Sequence, residues 1–532
     1  MTRTVDAVVV GSGVNGLVAA TELAKDGWSV ALVEQADRLG GFIATEERTL
    51  PGYLHDTYSS WHPLFVSGDA YAALAEDLHR HGLKYLNTDG FVSGTVGDDG
   101  RVLLVHRDPA TTVEAFGHAE DRTAYLAMLG RFLDNADAIG GMLGGEPRSP
   151  RMLRHIAKLV RRERFTGTEA WLRATVTGGR SYCRGTFRGD EPDRLWVPWL
   201  LHAGLSPDQA GGGLLLPVLA ASLHGYGTPV VAGGAGRFVR AFEDLLGELG
   251  VDVRTGQPVE RLLLTDGRVT GVVSGGEPIR ARRAVLASVT PTALYGELLP
   301  QEAPVPPAVR DQARRYRYGR AAMQLHVALS APPGWHDDRL ARVPLFHLSD
   351  GSASTGIACA EAEAGLLPRR PTVVVGQQYV LDPSRVPDGA AALWIQLQEL
   401  PYRPAGDAAG ELDVGGGWTK ALTEGYVNRV LARIARHAPD LPGKVLAWDA
   451  VTPSDLASYN PNAVAGDPYG GSTELDQNLL WRPLPGAPRH ATPVPGLWHI
   501  GSSTHPGPGL GGGSGHLVAQ RLIRGARRRG RR

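Results

Sequence analysis

The sequence predicts an α/β protein with a parallel-sheet domain assembled from separated stretches of chain, and a mixed α+β domain inserted between them. Three observations carry this. A strand–turn–helix–strand unit ending in an acid opens the chain at 5–34. An α/β pattern returns at 233–290. A short apolar strand runs into a glycine-rich turn and a helix at 495–523.

The first unit reads VDAVVVGSGVNGLVAATELAKDGWSVALVEQADRLGG over 5–41. An apolar run at 5–10 ends at Gly11, Gly13 and Gly16. Leu17, Ala20, Leu23 and Ala24 then fall on one helical face, and a second apolar run at 28–33 ends at Glu34. This is the Rossmann-type dinucleotide fingerprint in its confirming context. Gly11 permits the tight turn, Gly13 lets backbone approach a pyrophosphate, and Gly16 lets helix pack close to strand. Val14 and Asn15 begin the helix, whose free N–H groups and partial positive charge suit phosphate. Glu34, with Gln35 beside it, stands where a carboxylate accepts ribose hydroxyls and repels a 2′-phosphate.

Composition narrows the classes. Formal net charge is +0, which argues against a nucleic-acid partner. The only cysteines, Cys183 and Cys359, form no CxxC, which excludes a redox disulfide and a metal site of the zinc type. No run of about 20 apolar residues is present, so no membrane span is expected. The first strand starts almost at once and leaves no room for a signal peptide, making the cytoplasm the expected compartment.

Along the chain, 106–220 reads as mainly helical. Within it, RMLRHIAKLVRRERF at 151–165 places Met152, Ile156, Leu159 and Val160 near one face, with Arg151, Arg154, Lys158, Arg161 and Arg162 over much of the rest. This reads as a solvated helix packed by one stripe; the second reading is contact with an anionic membrane surface. Trp196, Trp199 and His202 read as core packing. At 233–290 a helix, a short strand at 251–254, a hairpin around Asp266-Gly267 and an apolar run at 284–288 follow one another. Strand candidates lie at 321–329, 372–381 and 392–397, a Gly/Ala/Pro/Asp-rich loop at 401–417, and a helix at 418–437. The last residues, ARRRGRR, read as a disordered basic tail.

Arg38 and the pair Gly40-Gly41 after Glu34 resemble the extended FAD signature of the glutathione-reductase and amine-oxidase superfamily. The segments at 5–47, 233–290 and 495–523 together resemble the phytoene desaturase/carotenoid isomerase group of FAD oxidoreductases. Residues 451–483, with Thr452-Pro453, Asp455-Leu456, Gly470-Gly471, Leu475-Asp476-Gln477 and Arg482-Pro483, are similar to its subgroup labelled pyridine nucleotide-disulphide oxidoreductase domain-containing protein 2-like. The chain departs from that subgroup at Ala457, where it has an acid, and at Tyr469, where it has a His.

The resemblance implies a Rossmann-like FAD-binding domain of the glutathione-reductase/amine-oxidase type, with an α+β substrate domain built on an antiparallel sheet with helices. It implies FAD-domain pieces at 1–105, 221–300 and 451–523, substrate-domain pieces at 106–220 and 301–450, and a tail at 524–532. Val259 would meet the adenine through its backbone, Ala287-Ser288 would pass the pyrophosphate, and Gly501, Ser502, Gly509, Gly511 and Gly512 would cover flavin ring and ribitol. Neither cysteine lies in a flavin-attachment motif, so the FAD is expected to be non-covalent. Tyr58 and His62, in HDTYSSWHPLF, and His505 are the candidates for the catalytic side, each reading also as a packed or turn residue. The implied activity is desaturation, dehydrogenation or isomerisation of a largely apolar, ring-bearing or polyene-like small molecule, with oxygen or a quinone as electron acceptor. A flavin amine oxidase and a noncatalytic FAD-binding scaffold are the other readings. Oligomeric state is left open.

Overall fold

The computed structural model describes residues 3–529. The Val- and Ala-rich strand Arg3–Val10 is buried at its last four residues, so both faces need cover. Val30–Val33 and Glu277–Ala287 flank it in parallel. Asp252–Arg254 extends the sheet beyond Val30–Val33. On the other side the hairpin Val259–Thr265 and Arg268–Ser274 pairs antiparallel with the start of Glu277–Ala287. Leu497–His499 adds in parallel to the end of that strand. The three separated segments thus meet in one sheet, as the fold class requires. Helix Val14–Lys25 is buried from Val14 through Ala24. It packs against helices Gly236–Glu248 and Gly513–Arg529.

A second seven-stranded sheet runs Val445–Val451, Ala321–Leu329, Ala391–Leu400, Val373–Gly376, Leu345–Leu348, Phe91–Val96, Val102–His106. Its pairs are antiparallel except Leu345–Leu348 with Phe91–Val96. Ala321–Leu329 is buried at every position, including Gln324, which donates to the Ile395 carbonyl at 2.8 Å, and His326, which meets the Thr57 carbonyl at 3.1 Å. The boundary expected at residue 105 is displaced: Phe91–Val96 and Val102–His106 belong to this second sheet, through His347↔Thr95 and Leu348↔Val96. Their local pattern specifies a hairpin and carries no information about which sheet it extends.

Two further expectations are corrected. In helix Pro150–Val176, Met152 and Leu159 point inward, but Ile156 is 41% exposed and Val160 43% exposed, so the four do not form one packed stripe. The basic tail is helical through Arg529, with Arg527 donating to Asp26 at 2.5 Å; positions 530–532 of the expected tail lie outside the described residues.

The two sheets are tied by a buried ion pair. Arg385, 2% exposed, donates to Asp56 Oδ2 at 2.6 Å, Asp382 Oδ2 at 3.1 Å and the carbonyl of Val231 at 2.7 Å. Asp56 also accepts from Thr45 Oγ1 at 2.8 Å, Ala235 N at 2.7 Å and Ser60 Oγ at 2.5 Å. Its carbonyl accepts from Trp394 Nε1 at 2.9 Å. Removing one member of a buried pair strands the other charge. Arg385→Met is therefore expected to lower unfolding stability by about 3–5 kcal/mol. Urea denaturation checks this; a loss below ~1 kcal/mol, the scale of an exposed pair, would show that the two layers do not depend on the pair.

Candidate functional site

The fingerprint turn is built by backbone contact. Gly11 has φ +88° and donates its N–H to the Val33 carbonyl at 2.8 Å. A Cβ on Gly16 would lie 1.9 Å from the Gly11 carbonyl oxygen, so no side chain is tolerated there. A Cβ on Gly41 would stand 3.2 Å from Gly13 Cα, and one on Gly515 2.0 Å from the Asn15 oxygen. Over Gly13 itself nothing lies within 4 Å of that position. The result is an open space at the N-terminus of helix Val14–Lys25, with close-packed backbone around it. Backbone N–H groups facing such a space suit a pyrophosphate.

Glu34 closes the turn. Its Oε2 accepts from Ser12 N at 2.8 Å and Ser12 Oγ at 2.7 Å, and its Oε1 from Ala36 N at 2.9 Å. A carboxylate has about four acceptor positions, so one remains for a ribose hydroxyl. Gln35 is exposed beside it. Gln257 N donates to the Glu34 carbonyl at 3.0 Å, which brings the start of strand Val259–Thr265 to the same end of the sheet. Arg38 is committed elsewhere: to Glu46 at 2.6 Å and to the Tyr459 hydroxyl at 2.8 Å. Tyr459 donates in turn to the Gly41 carbonyl at 3.0 Å. Arg38 thus holds the Gly40-Gly41 loop in place.

Ser288 is where the three segments converge. Its N–H donates to the Val10 carbonyl at 2.9 Å, following Ala287 at the strand end. Its carbonyl lies 3.2 Å from a Cβ built on Gly11, and its Oγ 3.0 Å from one on Gly501. Asn462 Nδ2 also donates to the Ser288 carbonyl at 3.0 Å, a contact that sequence reading missed. In the closing segment Ser514 Oγ accepts from Gly501 N at 3.2 Å and pairs with Thr504 Oγ1 at 2.7 Å. Gly509 and Gly511 lie over Leu64, and Gly512 over Val18.

The loop 467–473 is pinned beside this segment. Asp467, fully buried, accepts from the N–H groups of Gly319, Tyr469 and Gly471 at 2.7–2.8 Å. Arg482, fully buried, donates to the carbonyls of Tyr469 at 3.0 Å, Ser472 at 3.1 Å and Ser502 at 2.7 Å. The Arg482-Pro483 pair was the sequence signal for this; Asp467 had none. Tyr469 sits where the subgroup has His. Its hydroxyl donates to the Leu201 carbonyl at 2.5 Å and accepts from Gln398 Nε2 at 3.0 Å, so it serves as a fixed strut.

The three catalytic candidates are not brought together. Tyr58 packs edge-on to Phe42, centroids 5.1 Å apart, and on Tyr459 at 4.7 Å, in a cluster with Ala322 of the second sheet. Burial holds its phenol well above the ordinary range. His62 lies in the nucleotide-domain core: Nδ1 meets the Tyr85 hydroxyl at 2.9 Å and the ring meets Phe238 edge-on at 5.2 Å. His505 is 2% exposed, and neither ring nitrogen has a partner among the described residues. Burial pulls its pKa down to about 4, so the ring is neutral near pH 7. His490 Nε2 donates to the His505 carbonyl at 2.7 Å while its Nδ1 faces Glu146 Oε2 at 2.5 Å. This Glu146–His490 dyad positions the His505 backbone and was absent from the sequence reading.

A model of the family described as flavin containing amine oxidoreductase matches residues 15–522. Pyridine nucleotide-disulfide oxidoreductase domain-containing protein 2 of Rattus norvegicus is 28% identical over 98% of this chain and 93% of that protein. A limonene dehydrogenase component of Castellaniella defragrans is 23% identical over 97% of this chain and 94% of that protein. Hydroxyneurosporene desaturase of Cereibacter sphaeroides is 26% identical, with 94% of each chain covered. An oxidoreductase from Methanosarcina mazei shares the fold, with a TM-score of 0.63 and 14% identity over 97% of this chain and 99% of that one. The chain belongs to the flavin containing amine oxidoreductase family and is an FAD-dependent oxidoreductase. The open space over Gly13 and the spare acceptor position on Glu34 fit that cofactor.

Two outcomes follow from this geometry. Glu34→Arg removes the acceptor and places a cation at the ribose position. Its flavin-to-protein ratio after dialysis is expected to fall at least about tenfold, or ~1.4 kcal/mol of binding, with circular dichroism unchanged; full flavin retention would take Glu34 out of the site. The second outcome concerns acid. Nine histidines are held below their ordinary 6.5, by burial first, among them His55, His202, His499 and His505 at about 4 and His62 at about 3. Each contributes stability that is present above 6.5 and lost as pH falls through the folded-state value, at up to about 1.4 kcal/mol per pH unit. Four carboxylates held high, such as Glu399 and Asp467, act in the opposite sense and are fewer. The thermal midpoint is expected to drop between pH 6.5 and 4; a flat midpoint across that window would contradict the buried neutral histidines.

Proposed function

We propose that the enzyme desaturates, dehydrogenates or isomerises a largely apolar, ring-bearing or polyene-like small molecule held between the second sheet and the Gly41 side of the nucleotide domain. The observation that carries this is the aromatic wall there. Phe42, Tyr58 and Tyr459 pack with Ala322, Val451 and Leu456, and the nearest cation, Arg38, is held at the Tyr459 end by the Tyr459 hydroxyl and Glu46. Such a surface favours hydrocarbon over a small charged substrate. FAD, when bound, supplies the hydride acceptor. The names of two relatives, a limonene dehydrogenase component and a hydroxyneurosporene desaturase, support a hydrocarbon-rich substrate.

The residues of the chain orient and exclude water. Tyr58 and Tyr459 shield the side facing Ala322. His505, neutral and with two free ring nitrogens, is able to take or give a proton at Nδ1 or Nε2. The resemblance to amine oxidases calls for a lysine beside the flavin. Lys25, Lys158, Lys420 and Lys444 instead pair with carboxylates near the surface, and Lys84 is exposed. A hydrocarbon reading is therefore preferred to an amine one.

The glycine turn at 233–237 follows only the two-residue strand Val230–Val231. It lacks the strand and acid of a second dinucleotide site, so reoxidation by oxygen or a quinone is proposed. The test is anaerobic bleaching of the protein-bound flavin by cyclic and linear polyenes. Bleaching is expected with these and not with NADH or NADPH, and acid precipitation should release the flavin. His505→Ala should lower turnover about 100-fold, the scale of one proton-transfer group, with flavin content unchanged. Rapid bleaching by a reduced nicotinamide, or by primary amines alone, would overturn the reading.

A further inference from the structure

Exposed large apolar side chains concentrate on one helical hairpin, Ala119–Gly144 and Pro150–Val176. Eight of the fifteen in the described residues lie between 126 and 176, under a tenth of the chain. Leu153 is 68% exposed, Phe165 85%, Leu172 66% and Val176 64%. Leu153, Ile156 and Val160 follow the three-and-four spacing of one face. At Arg164 the helix breaks, with φ 56° and ψ −168°, and Phe165 comes out beyond the break. Burial does not require these groups to be outside: Met152, Leu159 and Trp171 of the same helix already supply its packed contacts.

Cations are interleaved with them. Arg151, Arg154, Arg161 and Arg164 are exposed, and none has a carboxylate within ion-pair distance among the described residues. Lys158 and Arg162 share Asp137, and Arg173 lies near Glu169. From the closing helix, Arg524 stands close enough to Arg151 and Arg528 for their like charges to oppose its own. This crowding favours an anion at that end of the hairpin.

We infer that this hairpin docks on an anionic lipid surface, Leu153, Phe165 and Leu172 entering the apolar boundary while the unpaired arginines meet headgroup charge. Interleaving of arginine with apolar side chains is the composition of an interfacial helix. Arginine is also common in protein interfaces, so it is the absence of carboxylate partners for Arg151, Arg154, Arg161 and Arg164 among the described residues that favours anionic headgroups. No helix among the described residues is long and apolar enough to cross a membrane, so contact is from one side. The hairpin turn carries Glu146, whose His490 partner holds the His505 carbonyl. The docking element is therefore joined directly to the closing glycine segment. The inference stands without the hydrocarbon reading, because lipid binding is measured without turnover.

The test is flotation of the full-length FAD-loaded protein with phosphatidylcholine vesicles, with and without phosphatidylserine. Binding is expected only with phosphatidylserine and should weaken as salt is raised. Leu153→Ser with Phe165→Ser, and separately Arg151→Glu with Arg154→Glu, should each cut the bound fraction about tenfold while flavin content stays the same. Absence of binding at low salt, or equal binding to both vesicles, would overturn the inference. So would a concentration-dependent dimer that the Phe165→Ser variant dissolves, since a second copy of the chain would then be the occupant.

Discussion

Two sheets that share no strand must still be held in one orientation, and the buried pair of Asp56 and Arg385 does this. Asp56 lies four residues before Ser60, in the stretch between the first nucleotide unit and the rest of the chain. It gathers Thr45, the N-terminus of helix Gly236–Glu248 through Ala235, and the indole of Trp394 from the second sheet. Arg385 brings Asp382, which accepts from Gly233 N at 2.7 Å. Each side-chain nitrogen of Arg385 and each carboxylate oxygen of Asp56 has a partner, the condition under which burying charge is tolerable. Tyr58 is two residues from Asp56, so the aromatic wall takes its position from this anchor.

The same economy of polar contacts governs the closing side. Asp467 and Arg482 spend all their hydrogen bonds on backbone, fixing a loop that has no regular secondary structure of its own. A buried loop leaves peptide groups to be satisfied, and a carboxylate with a guanidinium can satisfy several at once. Tyr469 extends the arrangement to the helical layer through Leu201. Replacing the subgroup's His by Tyr thus keeps a polar reach across the gap and gives up a titratable ring. In the closing segment, His505 has neither ring nitrogen partnered, while His499 keeps one partner, the Val289 carbonyl.

Legibility in the sequence followed locality. The fingerprint was readable because Gly11, Gly16 and Glu34 act within one βαβ unit, and the contacts that define it, Gly16 against Gly11 and Ser12 on the Glu34 carboxylate, span no more than about thirty residues. Strand 321–329 was readable for the same reason: a mainly apolar segment, interrupted only by Gln324 and His326, needs no partner to be recognised. The edge of the first sheet was missed because Phe91–Val96 and Val102–His106 look alike whether they extend one sheet or the other. His62 read as a possible site residue because proximity in sequence to Tyr58 does not reveal that the chain turns inward to Phe238. Glu146 and His490 were invisible, since their contact spans 344 positions and neither sits in a motif. The exposed stripe of the 150–176 helix was misread because apolar spacing tells which residues share a face and not whether that face is covered.

The cofactor domain is closed by its two chain ends. A Cβ on Gly515 has no room because the Asn15 carbonyl lies against it, and Gly515 N donates to Asn15 Oδ1 at 3.2 Å. Two turns further along the first helix, Glu22 accepts from His516 at 2.6 Å and from Gln520 at 2.9 Å. Arg527 then reaches Asp26. The first helix is therefore completed only by residues some five hundred positions away. Contacts of such separation carry a loop-closure entropy cost that the packing between the two helices must offset. Gly501 and Ser514, from the last segment, supply one side of the space over Gly13. A pyrophosphate seated at the helix N-terminus would meet both ends of the chain, so binding it and joining the ends are favoured by the same contacts. Cofactor binding then stabilises this junction of distant segments, which follows from linkage for any ligand that selects the native state.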